Sequence, residues 1–280
     1  MKKKHKGRKQ PVTALNFKSE KKQTKQQKKM LISRLHVILK ELEKAKAKQD
    51  DKQAVSEKTL KIQQLQQEIE ELGGLDRYQQ SSLHGEQLHG NVNTSKWVLD
   101  KLKENNVRAK KGSKLKLLDV GAVRLNYTKQ QKWLETDAVD LNPQAQDIKK
   151  ANFFEFKVGE KGIYDIIVLS LVLNFVSSPA QRGDMLRRCR SLCADSGHLF
   201  VVLPRACLEN ARYLDHDLFH EMMASLNFDL VTHHDSKKLS YKMFRKFERR
   251  KETGLSKKSA FPKHEVRNGK NCNNFCIVLK

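Results

Sequence analysis

Three short apolar runs, each closed by a polar turn, dominate the middle of the chain. Leu115–Val120 stops at Gly121-Ala122, and Thr136–Leu141 ends in Asp140-Leu141-Asn142-Pro143. Tyr164–Leu173 leads into Asn174-Phe175. Runs that are short, β-branched or leucine-rich and cut by Gly, Asn or Pro have the pattern of parallel strands buried on both faces. A further short strand is expected near Asp147-Ile148, a buried strand at Leu199–Pro204, and an alternating strand at Phe228–His233. Phe275–Leu279 reads as a terminal strand. Between them apolar residues fall at helical spacing. Met185, Leu186, Cys189 and Leu192 follow Ser177-Ser178-Pro179, where proline suits a first turn. Leu214, Leu218, Met222 and Leu226 step in fours. Strand and helix alternate, so the expected architecture over 114–280 is α/β, a doubly wound, Rossmann-like sheet.

Upstream the period changes. Leu31, Leu35, Ile38 and Leu42 form one helical stripe; Leu60, Ile62, Leu65, Ile69 and Leu72 form another, stopped by Gly73-Gly74. This predicts a helical hairpin over 30–74, to which no chemistry is assigned. Residues 75–113 read as a polar, glycine-punctuated lead-in carrying His84 and His89, a helix from Thr94 or Ser95, and a charged linker. Residues 1–29 are a basic arm nearly free of apolar residues, a composition that favours disorder in isolation.

Charge then narrows the partners. The 280 residues carry 56 basic and 32 acidic side chains, a net charge of +24. Such an excess fits a polyanion, with nucleic acid first and an acidic membrane surface second. No apolar stretch approaches the roughly 18–20 residues that span a bilayer, and the N-terminus lacks the apolar core of a secretory signal. The five cysteines, an odd number, are expected to be reduced thiols. The spacings of Cys189/Cys193 and Cys272/Cys276 do not suit zinc, and His216/His220 read as surface residues without a third ligand. No metal is expected. Phosphate contacts are assigned to Lys2, Lys3, Lys4, Lys6, Arg8 and Lys9 of the arm, and to Lys242, Arg245 and Lys246 of the basic stretch 237–251. Arg205, just after Leu203-Pro204, is placed on the same rim. Tyr241, Phe244 and Phe247, interleaved with these cations, either stack on bases or belong to the core.

The polar residues at the strand ends carry the candidate chemistry, because an open α/β sheet binds its ligand there. An adenosine-bearing cofactor needs a tight glycine turn, an acid about twenty residues later for the ribose, and an edge for the adenine. Gly121 supplies the turn and Asp140 the acid; Asn152-Phe153 is the adenine edge, and Asp119 closes the first run. The loop 121–126 lacks the further glycines that let backbone approach a pyrophosphate. It therefore favours S-adenosylmethionine over NAD. Alternatively, Asp119 and Asp140 only cap strand ends.

Several of these phrases resemble a known family. Leu-Leu-Asp-Val-Gly, Val-Asp-Leu-Asn, Ser170-Leu-Val-Leu-Asn-Phe-Val176, Arg182-Gly-Asp-Met-Leu-Arg and Phe-Val-Val-Leu-Pro-Arg-Ala-Cys are similar to the fungal nucleolar 25S ribosomal RNA adenine-N1 methyltransferases. Tyr78-Gln79-Gln80 with Ser82 and Gly85 matches as well, so the resemblance runs from about Gly73 to the C-terminus. It implies a class I methyltransferase fold, S-adenosylmethionine as cofactor, and an adenine of large-subunit rRNA as acceptor. It also implies cofactor contacts at Gly121 and Asp140, a pre-ribosomal partner, and a place in the nucleus and nucleolus; a monomer is expected.

The acceptor sets the demands on the protein. Neutral adenine N1 has its own lone pair, so alignment and desolvation matter more than a base. Asn174 is the candidate to hold the adenine edge and Phe175 to stack on it; equally, Phe175 is core and Asn174 caps a turn. Two other readings keep the pocket without the chemistry, namely a cofactor-binding sensor and a ribosome-assembly factor.

Overall fold

The computed structural model describes residues 94–143, 145–156, 163–247 and 260–280, the helix Val55–Glu71, and Arg34, Val37, Ile38 and Glu41. The last four are helical. Helix α1 (Val55–Glu71) packs Ile62, Leu65 and Ile69 around the fully buried Ile38. Arg34 donates through two nitrogens to both carboxylate oxygens of Glu68, at 2.6 and 2.8 Å.

The α/β region begins with α2 (Thr94–Glu104), then β1 (Leu115–Val120), β2 (Leu134–Asp140), β3 (Lys149–Lys150) and β4 (Tyr164–Ser170). Then come α3 (Pro179–Leu192), β5 (Cys193–Pro204), the single turn α4 (Ala206–Glu209), α5 (His216–Ser225), β6 (Phe228–Asp235) and β7 (Leu239–Lys246). The sheet order is β3-β2-β1-β4-β5-β7-β6. Pairing is parallel from β3 through β5, while β7 runs antiparallel to both β5 and β6. From β1 the chain works outward to β3, then returns to β4 on the other side of β1. That reversal opens a crevice at the carboxyl ends of β1 and β4, where such sheets take their ligands.

Alternation along the strands fills a core on each face. Leu117, Ile166, Val168, Phe200 and Met243 pack against Val98 and Leu102 of α2. Leu118, Ile167, Leu169, Val201 and Phe244 face the other way, against Met185 and Leu186 of α3 and Phe219 of α5. No helix among the described residues is long and apolar enough to cross a membrane.

Two expectations change. Phe275–Leu279 is no strand of the sheet: it joins one core cluster and pairs by a single bridge, Phe261 with Leu279. The last sheet strand is instead the basic stretch at β7, inserted between β5 and β6. Its even positions, Lys242, Phe244 and Lys246, lie on the α5 face, and the two ammonium groups find polar partners inside. Tyr241 and Phe244 are accordingly buried core residues. The C-terminal run packs on α3 instead, where Val278 N donates to Pro179 O at 2.9 Å.

Gly183 of α3 lies against that run, and a Cβ there would overlap the Val278 carbonyl oxygen. Gly183→Ala gains at most about 1 kcal/mol of helix propensity and costs roughly 1–3 kcal/mol of overpacking against rigid backbone. A lower melting temperature is therefore expected by calorimetry. An unchanged or higher value would show that the segment is not seated there.

Candidate active site at the switch point of the sheet

β1 delivers Gly121 to the crevice. Its φ of +71° is a left-handed value that only glycine adopts without strain. Its N–H donates to Val139 O of β2 at 2.8 Å, and that of Ala122 donates to the same oxygen at 3.1 Å. A Cβ on Gly121 would overlap Cγ2 of Val172. Val172 belongs to the turn after β4, where Leu171 is itself left-handed at +58°. The two turns bordering the switch point thus touch through a glycine.

Asp119 is 4% exposed and accepts from Asn126 Nδ2 at 3.3 Å. Burial pushes its carboxyl up to about 7, against the smaller opposing effect of the Asn126 bond. The Tyr127 hydroxyl is raised by its own burial and then by the charge of Asp119. Asp140 ends β2; its Oδ1 accepts from Asn142 N at 2.7 Å and its carbonyl from Ala151 N at 2.9 Å. Asp119, Gly121 and Asp140 therefore share one carboxyl edge, on the adjacent strands β1 and β2.

Asn152 follows β3 but is occupied in its own turn, where Oδ1 accepts from Phe154 N and Nδ2 donates to Glu155 Oε1, both at 3.1 Å. The Phe153 side chain is core, with the Arg188 guanidinium 5.7 Å from its ring centre. The phenyl ring of Phe153 is therefore not free to serve as an adenine edge. In the loop after β4, Asn174 Oδ1 is buried with no hydrogen-bond partner among the described residues. Phe175 is 41% exposed, and its N–H donates to Val172 O at 2.9 Å. A contact invisible in the sequence closes this end: Ser170 Oγ donates to Thr94 Oγ1 at 2.9 Å, setting the start of α2 over the tip of β4.

The basic candidates divide. Lys2, Lys3, Lys4, Lys6, Arg8 and Lys9 lie outside the described residues, as do His84 and His89. Arg245 is exposed. Arg205 stands just past β5, with Nε 2.5 Å from Glu209 Oε1. Lys242 and Lys246 are corrected, because burial removes both from a phosphate backbone. Lys246 Nζ donates to Cys193 O at 2.6 Å and pairs with Asp195 at 3.0 Å. Lys242, 1% exposed, donates to His216 Nδ1 at 3.2 Å.

His216 and His220 are half-buried instead of superficial, and the fold does supply further potential ligands. Glu209, His216 and Asp235 each offer an atom within 4.8 Å of the others. The ammonium of Lys242 only donates, so His216 Nδ1 accepts and the ring proton sits on Nε2. Lys242 thus supplies the cation of this cluster. Burial, then Lys242, holds both histidines below their ordinary value, His220 at about 4. All five cysteines are free thiols.

Comparison with known proteins settles the ancestry. The family described as "25S rRNA (adenine(2142)-N(1))-methyltransferase, Bmt2" matches residues 63–277. The chain belongs to this family. Its similarity to the 25S rRNA (adenine(2142)-N(1))-methyltransferase of Saccharomyces cerevisiae is 29% identity over 250 residues, 88% of this chain and 71% of the relative. With the 25S rRNA adenine-N(1) methyltransferase of Schizosaccharomyces pombe it is 31% over 194 residues, 66% and 70%. Among solved structures, an S-adenosylmethionine-dependent methyltransferase from Clostridium acetobutylicum aligns at 12% identity and a TM-score of 0.46, covering 61% of this chain and 98% of that one. The assignment rests on the family match and on the strand order, and this methyltransferase family uses S-adenosylmethionine.

The residues at the crevice suit that cofactor in kind: glycine at 121 lets the left-handed turn after β1 close against Val172, and acids stand at the ends of β1 and β2. Gly121→Ala adds left-handed strain of roughly 1–2 kcal/mol to the overlap with Val172. A loss of S-adenosylhomocysteine affinity of at least about tenfold is expected by calorimetry. Asp140→Ala, losing a charged hydrogen bond, is expected to cost about 10- to 100-fold. Parental affinity in both variants would move the cofactor elsewhere.

Asp119 also sets a pH dependence. Its folded value of about 7 lies above the ordinary 3.8, so between these the folded chain holds a proton that the unfolded chain has lost. Its contribution to stability is full below the lower value and is lost as pH rises through the upper, by at most about 1.4 kcal/mol per pH unit. In urea melts of the ligand-free protein, the difference between parent and Asp119→Asn should slope downward from pH 4 to 7. A flat difference would mean that Asp119 titrates normally.

Proposed function

We propose that this chain transfers the methyl group of S-adenosylmethionine to N1 of an adenine in large-subunit ribosomal RNA. The observation that carries the reading is the family match over residues 63–277; the orphaned Oδ1 of Asn174, two residues beyond the Val172 that meets Gly121, marks the acceptor side. It is a buried acceptor on the loop after β4 that has no donor among the described residues, and a base in the crevice could supply one.

Gly121 and the carboxylates of Asp119 and Asp140 would hold the cofactor, with Asp140 suited to ribose hydroxyls and Asp119 to a cationic amino group. When bound, that group supplies an electrophilic methyl on a positively charged sulfur. The rest falls to the chain and the base. Adenine N1 is a neutral ring nitrogen with an available lone pair; it forms the new C–N bond as the C–S bond breaks, and the positive charge passes to the base. No proton has to leave first, so no general base is required. Asn174 Oδ1 would accept from the exocyclic 6-amino group, turning the adjacent N1 toward the methyl. The exposed face of Phe175 would stack on the ring.

RNA affinity is assigned to the exposed Arg245, to Arg205 and to the basic arm, and its strength should fall with salt. The same arm supports a nucleolar address and the pre-ribosome as the setting; action as a monomer without a metal is part of the proposal.

The test is incubation of the full chain with labelled methyl donor and unmodified large-subunit rRNA, with the product mapped by reverse-transcription stops. A stop at one adenine is expected, because a methyl on N1 blocks Watson–Crick pairing. Asn174→Ala should lower kcat/KM about 10- to 100-fold with cofactor affinity unchanged. Cofactor and RNA binding without methylated product would leave a sensor or an assembly factor.

A further inference from the structure

The loop that carries Asn174 and Phe175 is gripped from behind. Arg182, in the first turns of α3, is 9% exposed. Its Nε donates to Val176 O at 2.7 Å and its Nη2 to Ser177 O at 3.2 Å. Nη1 donates to Cys276 O at 2.6 Å, and the Phe275 ring centre lies 4.4 Å from the guanidinium carbon. One planar group thus fixes two carbonyls of the loop and one of the C-terminal segment, 94 positions away in sequence. Val278 N on Pro179 O and the contact at Gly183 hold that segment against the same helix.

The loop is also under strain. Leu171, at its start, has a φ of +58°, a conformation that costs a non-glycine residue roughly 1–2 kcal/mol and persists only where the surroundings over-determine it. The Val172 contact with Gly121 determines the front of the loop. Arg182 determines the back. Between them stand Asn174 Oδ1, unpartnered among the described residues, and the exposed Phe175.

We infer that Arg182 is a positioning residue for the methyl acceptor, holding the Asn174–Phe175 loop in register with the cofactor crevice, with the C-terminal segment 275–279 as its anchor. This rests on the reading of Asn174 and Phe175 as the residues that face the adenine. Lysine cannot take the part. A single ammonium has no planar fork to span carbonyls on two segments while stacking on an aromatic ring.

The test measures R182K, R182G, N174A and F175A in the full chain, with large-subunit rRNA and S-adenosylmethionine. R182K is expected to keep S-adenosylhomocysteine affinity within about threefold while kcat falls about a hundredfold, the scale on which misplacing a reacting group acts. R182G should recover part of its kcat when guanidinium is added well below denaturing concentration, as the free ion refills the buried position. A merely structural Arg182 would lower melting temperature, cofactor affinity and kcat in step, with no rescue, and that result overturns the inference. Loss of turnover in N174A and F175A with parental turnover in R182K overturns it alone. Parental turnover in N174A and F175A overturns the acceptor reading and the inference with it.

Discussion

The contact between Gly121 and Val172 is the constraint from which the site follows. Strands β1 and β4 are neighbours in the sheet but far apart in the chain, and the turns leaving them meet at their carboxyl ends. Glycine at the first turn lets the second come down onto the sheet edge. That brings the loop bearing Asn174 beside the tips carrying Asp119 and Asp140. A side chain at 121 would lift the β4 turn, and the acceptor loop would lose its place relative to the cofactor side. On the proposed reading, cofactor binding and acceptor positioning would share this one van der Waals contact.

Basic residues do two unrelated jobs in this chain. A net charge of +24 makes the surface attractive to a polyanion, yet Lys242, Lys246 and Arg182 are among its most buried polar side chains. Each aims a charged head at carbonyl oxygens, an imidazole or a carboxylate, and each ties elements distant in sequence. Lys246 joins β7 to the start of β5, Lys242 joins β7 to α5, and Arg182 joins α3 to the C-terminal segment. A long aliphatic stem packs as a hydrophobe while its end makes the bond. Sequence alone gives both kinds of lysine the same appearance.

That ambiguity explains most of what the sequence concealed. β1 is legible to the residue, since Lys114 and Gly121 bracket a leucine- and valine-rich run interrupted only by Lys116 and Asp119. β4 and α3 are nearly so, because proline and a polar turn mark their junction. Asp119, Gly121 and Asp140 could be singled out because an α/β sheet displays chemistry where its strands end. β7 was hidden: its cations obscure a strand whose even residues face α5, while Phe275–Leu279 has a strand's composition without a place in the sheet. The edge of β5 that it needed is already paired with β7. Phe153 misleads for a related reason, because a residue after a strand can turn its backbone to the crevice and its ring to the core. The Ser170–Thr94 bond, the Val172 contact and the orphaned oxygen of Asn174 are tertiary facts, and no spacing encodes them.

The buried state of Asp119 ties the fold to the chemistry. Placing a carboxylate in an apolar crevice disfavours its charged form, which is why the group holds a proton up to near neutrality. The same low dielectric strengthens its attraction for a cation once one arrives. A cationic amino group beside it would restore the charge, and the proton would be expelled. The protonated acid thus avoids an unpaired buried anion, and on the proposed reading an ion pair would form only with a positively charged guest. A neutral adenosine compound would find the protonated acid and gain little from it. On the proposed reading of Asp119, selectivity for a zwitterionic amino-acid tail over a bare nucleoside would follow from the burial of one side chain.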